Sequence, residues 1–117
     1  MTDSPNKYAE FISNQLIKEG VATSPEHKNL IAYQRHEKLA KRSPDLKMDG
    51  VDGYFHKDND MADQSFIIKH PSGNHSHTVI DEKDSTEKDY EAASRRDNPH
   101  LSDAEHKYVA KAIDKNT

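Results

Sequence analysis

Only one place in this chain strings three large apolar residues together: Phe66-Ile67-Ile68. Leu, Ile, Val and Phe number 19 of 117 residues, so a core has to be assembled around that run. A share under roughly 20% borders on compositions that stay disordered. The net charge of -4 is too small for self-repulsion to hold the chain open. Turn and cap signals follow one another in good order, and the reading is a folded domain with a thin core.

The apolar run opens a segment, 65–80, that reads as a β-hairpin with Pro71-Ser72-Gly73-Asn74 at its tip. Two registers fit. If His70 pairs with His75, then Phe66, Ile68, His70, His75, His77 and Val79 share one face. If Pro71 starts a type I turn and Gly73 takes the left-handed bulge position, His70 faces away from His75 and His77. A slip of one residue therefore decides whether three histidines meet.

Helix signals flank the hairpin. Ser4 and Pro5 start a helix that Gly20 ends, with Tyr8, Phe11, Ile12 and Leu16 on one arc and Ile17 behind it. Ser24-Pro25 starts a second helix, which Ser43-Pro44 stops after about Lys41 or Arg42. Together they predict a helical hairpin over 5–42. Residues 43–64 read as an irregular loop. It is turn-rich at Asp49-Gly50 and Asp52-Gly53, with Tyr54 and Phe55 pinning it to the core. C-terminal helices are expected over 84–115. The first starts at an Asp84/Glu87 capping box and, poor in apolar residues, lies on the surface. Asp97-Asn98-Pro99 breaks it. The second starts at the Ser102/Glu105 box and docks through Leu101, Ala104, Tyr108, Val109, Ala112 and Ile113. The predicted fold is a single α+β domain over 1–117, mostly helical, with the helices on one face of the hairpin and the other face wet.

The composition narrows the function classes. The chain has no cysteine, which excludes disulfides and thiolate chemistry and points to a reducing, cytoplasmic setting. Met1–Lys7 contains no apolar stretch, so a secretory leader is not expected, and no apolar run approaches the ~18 residues of a membrane span. With 17 Lys and Arg against 21 Asp and Glu, the surface as a whole does not attract nucleic acid. The eight histidines would carry the net charge from -4 to +4 if all were protonated.

Three constellations remain. His70, His75 and His77 are a candidate metal set, zinc being the fitting ion, with a fourth ligand from His56, Asp58 or Asp60. The spacing is permissive rather than diagnostic, and the leading expectation is no cofactor. Asp58-Asn59-Asp60 lacks the glycine and distant glutamate of a calcium loop. No nucleophile elbow, phosphate loop or dinucleotide fingerprint is present, so the reading leans away from an enzyme. Lys28, Arg35, Lys38 and Arg42 form a basic stripe within ~80° of arc, which could follow phosphates; nucleic acid is nevertheless disfavoured by the balanced charge. Finally, Ile17, Ile31 and Leu39 fall off the main apolar arcs, with Arg35 beside them. A chain this short of apolar residues gains by leaving some exposed only if something covers them. The leading expectation is a non-catalytic protein–protein interaction module: an accessory, inhibitor or adaptor of phage, plasmid or effector type. It would bind another protein or itself through Ile17, Ile31, Arg35 and Leu39. A metal-binding module or metal-dependent enzyme centred on the hairpin is the alternative, and a nucleic-acid-binding regulator the third.

Overall fold

The computed structural model describes residues 24–57 and 63–117. The helix expected near the N-terminus, with Ile17 and its apolar arc, lies outside the described residues, as do Asp58 and Asp60. In chain order the elements are α1 (Pro25–Ala40), a 3-10 turn (Pro44–Leu46), β1 (Asp52–Lys57), β2 (Gln64–Lys69), β3 (His75–Ile80), α2 (Glu87–Asp97) and α3 (Asp103–Lys115). The fold is α+β, an antiparallel sheet ordered β1-β2-β3 with helices packed on it.

The helix starts obey their side chains. Ser24 accepts from the His27 N–H ahead of Pro25 at the start of α1. Ser102 and Glu105 form the expected capping box on α3. On α2 the box is formed by Thr86 and Asp89 instead of Asp84 and Glu87; Asp84 spends its carboxylate on the Asp81 N–H in the preceding turn.

Three further expectations are corrected. The segment 43–64 is not irregular throughout, since it contains β1. Tyr54 and Phe55 are neighbours in a strand and so point to opposite faces, which removes the alternation that would have revealed it. Gly53 reads as a turn residue but sits in the strand because a Cβ there would lie 2.7 Å from the Ile67 carbonyl oxygen. Nor is one face of the sheet left wet. Phe66, Ile68 and Ile80 pack with Met48, Tyr90, Leu101, Val109 and Ile113 on the α2–α3 side. Ile67 and Tyr54 pack with Ala32 and Tyr33 of α1 on the other. The apolar run is thus a central strand covered on both faces, and α2, expected on the surface, buries Tyr90, Ala93 and Ser94.

The outer edge of β3 is closed by side chains rather than by another strand. The His75 N–H donates to Glu26 at 2.7 Å, the His77 N–H to Asn98 Oδ1 at 2.9 Å and the Val79 N–H to Asp97 Oδ2 at 2.9 Å. The His75 carbonyl accepts from Asn29 and the Val79 carbonyl from Arg96. This satisfies the strand's open row of polar groups and blunts it against pairing with another chain. Asn98 is the hub. Fully buried, it also donates to Thr78 Oγ1 and to the Ser94 carbonyl, and accepts from Asn29.

Replacing Asn98 with Ala strands the His77 N–H and the Asn29 amide in a dry site. The expected loss is about 2–4 kcal/mol of unfolding free energy in a urea titration, since each unsatisfied buried group costs roughly 1–3 kcal/mol. A loss below about 0.5 kcal/mol, the level of a neutral surface change, would show that water replaces the side chain.

Candidate functional site

The hairpin takes the second of the two registers. The His70 carbonyl accepts from the Gly73 N–H at 2.9 Å, the His70 N–H donates to the Asn74 carbonyl at 2.8 Å, and Gly73 has φ +96°. Lys69 then pairs with His75, and Ile67 with His77. His70 therefore lies on the α2–α3 face, where its Nε2 and Ser76 Oγ share a hydrogen bond of 2.9 Å and its ring sits 5.2 Å from that of Tyr108. His75 and His77 lie on the α1 face. The sheet itself separates the three proposed ligands, and among the described residues no three His, Asp or Glu side chains converge as a metal would require.

Each histidine has a different setting. His75 Nδ1 donates to Glu26 Oε2 at 2.9 Å, and its ring packs 5.1 Å from that of Tyr33. His100 Nε2 donates to the His75 carbonyl at 3.3 Å. His36 is fully buried and donates from Nδ1 to the Ala32 carbonyl, leaving its Nε2 buried without a hydrogen bond. His77 Nε2 is in the same condition. His106 Nδ1 shares a 2.8 Å hydrogen bond with Ser94 Oγ. Sequence reasoning singled out the hairpin histidines and missed His36 and His106. Both sit on the core faces of helices, where an imidazole reads as one more amphipathic position.

Burial pushes His36, His70, His77 and His106 below the usual imidazole range, His77 to about 4. At the hairpin tip the reverse imbalance holds. Burial works to raise the Glu105 carboxyl, but hydrogen bonds from the Ser102 N–H, Ser72 and Asn74 outweigh it and hold it at about 2.

The outward side of α1 is the other candidate. Asn29, Ala32, Tyr33 and His36 form its buried stripe. Ile31, Arg35 and Leu39 lie on a separate arc and are half-buried, while Lys38 and Arg42 are exposed. Arg35, Lys38, Leu39 and Arg42 line a groove of about 190 Å³. Residues 25–42 carry five Lys or Arg against two Glu, in a chain whose net charge is -4. The sequence prediction thus placed Ile31, Arg35 and Leu39 on one surface, and the structure gathers Arg35 and Leu39 in one groove. A second cleft, of about 260 Å³, runs between α2 and α3 and is lined by Glu87, Lys88, Glu91, Lys107, Ala110 and Lys111. No helix among the described residues is long and apolar enough to cross a membrane. The chain matches no known family model, no curated protein and no solved structure.

The buried imidazoles set a pH dependence. Their folded state disfavours the proton, so their contribution is intact above about pH 6.5 and is lost as pH falls from there toward about 4, the level given for His77. His77 alone should cost roughly 2 kcal/mol at pH 5 relative to neutral pH. Urea midpoints measured from pH 7.5 to 4.5 should fall steadily below pH 6.5; a flat profile down to pH 5 would show that the rings are solvated in the native state.

Proposed function

We propose that the protein is a small interaction module that binds an acidic protein surface through the outward side of α1. The observation that carries this reading is the groove beside Leu39, rimmed by Arg35, Lys38 and Arg42. A half-buried leucine set among cations offers apolar contact at the centre and charge at the rim, the arrangement of a protein-binding patch. Ile31 extends the apolar strip by two turns toward the N-terminus of α1. The basic helix on an acidic chain supplies the complementarity that steers an acidic partner and repels a basic one. An accessory, inhibitor or adaptor role in the cytoplasm fits such a module, as does a chain with no cysteine.

Leu39→Asp combined with Arg42→Glu should abolish binding of any acidic partner captured by the wild-type protein, while circular dichroism and the urea midpoint stay unchanged. Exposed cations should also make the wild-type interaction weaken several-fold between low and high salt. Retention of the same partner by the double variant would overturn the assignment of this face. Sedimentation of the protein alone distinguishes a second copy as the occupant, because self-association abolished by the same variant would replace the acidic partner.

A further inference from the structure

The two faces of the sheet are covered by different means. Against α2 and α3 the contact is apolar: Phe66, Ile68, Ile80, Val109 and Ile113 meet there, nearly all without solvent contact. Against α1 the apolar contribution shrinks to Ala32, Tyr33, Tyr54 and Ile67. The remaining contact is polar: Glu26 and Asn29 of α1 bond to His75 of β3 and Tyr33 to Asp52 of β1, and the His36 ring lies fully buried on the inner side of α1. This ring already donates from Nδ1 to the Ala32 carbonyl, and its Nε2 is sealed from solvent with no acceptor in reach. His77 bears on it from β3, with its own Nε2 sealed in the same way. His56 bears on it from β1. β2 contributes Ser65, Ile67 and Lys69 to this face. Of the charged groups around the pair, Lys28 of α1 opposes a proton on His77, and Asp97 at the end of α2 favours one.

We propose that α1 is an acid-releasable layer: as pH falls below neutral, protonation of the His36–His77 pair forces α1 off the sheet while the α2–α3 layer stays in place. A protonated imidazole has two N–H donors, and at His36 the second meets no acceptor. The charge is tolerated only if the ring reaches water, which requires α1 to leave. On the other face His70 likewise keeps one ring nitrogen, Nδ1, buried without a partner, but carboxylates offset this: Glu105 favours the proton on both His70 and His106, and Glu26 favours it on His70. His70 and His106 also each contact a serine hydroxyl, Ser76 and Ser94, able to accept from a charged ring. Two apolar layers would respond to acid together, whereas these two respond in sequence. The inference does not depend on what binds the outward side of α1, but any such partner would lose its site in the same pH interval.

Hydrogen exchange on the full chain tests this. Protection factors of α1 amides should fall at least tenfold more than those of α3 amides between pH 7.5 and pH 5. In His36→Leu, which removes the ring but keeps an apolar side chain, the excess fall in α1 should vanish. Parallel loss in α1 and α3, unchanged α1 protection at pH 5, or an undiminished excess in His36→Leu would each overturn the proposal. Should His36→Leu fail to fold, His77→Leu is read the same way. Imidazole proton shifts in the wild-type protein give an independent reading: His36 must titrate below the ordinary imidazole value of about 6.5, and a midpoint at or above it would also overturn the proposal.

Discussion

The structure depends on β2 being buried on both faces. Phe66 and Ile68 point one way and Ile67 the other, and all three are without solvent exposure. An antiparallel sheet commonly keeps one face wet; a central strand with no polar alternation cannot. Three consecutive large apolar residues therefore demand two covering layers, one strand on either side, and a chain route that delivers helices to both faces. The chain meets that demand with 19 Leu, Ile, Val and Phe residues in total. Too few remain to line two interfaces equally, so one is apolar and the other is completed by imidazoles, a phenol and an amide.

That shortage also accounts for the density of side-chain to backbone hydrogen bonds. A domain with a larger core could afford a fourth strand to finish the sheet. Here the edge of β3 is finished by Glu26, Asn29, Arg96, Asp97 and Asn98, drawn from the start of α1 and the end of α2. These contacts do two jobs together. They pair groups that would cost more if left unsatisfied, and they fix the height at which both helices meet the sheet. Elsewhere, Glu105 in the first turn of α3 ties the hairpin tip to that helix through Ser72 and Asn74, and Asn116 joins the end of α3 to the loop before β1 through Asp49.

Local signals were legible where one residue decides the outcome. Ser24-Pro25 and Ser102 with Glu105 each state a backbone geometry by themselves, and both form; Pro71–Asn74 was legible as a turn, but its type, and with it the register, was not. The α+β class followed from them. What could not be read is whatever depends on a second segment. β1 was hidden because Tyr54 and Phe55 serve opposite layers and because Gly53 answers to the Ile67 carbonyl, a residue far along the chain. The burial of α2 was hidden because Tyr90, Ala93 and Ser94 make a weak apolar stripe that suffices only against β3. The histidines were read as a hairpin cluster because sequence shows proximity along the chain. Gly73 gives the strands a register that sends His70 to the face opposite His75 and His77, and the neighbour His77 gains instead is His36, forty-one positions away.

An imidazole in place of a hydrophobe at His36 has a physical consequence that a leucine would not. Neutral histidine is close in volume to leucine and packs acceptably while uncharged, so the α1 interface is adequate at neutral pH. The same atoms become a liability once a proton arrives, because Nε2 faces no acceptor and His56 opposes a charge on the ring. The thin core thus does more than limit stability. It leaves the molecule with one layer held mainly by apolar contact, where the Glu105 carboxylate favours a proton on its histidines, and one completed by unpartnered imidazoles, and it places the basic outward side of α1 on the second.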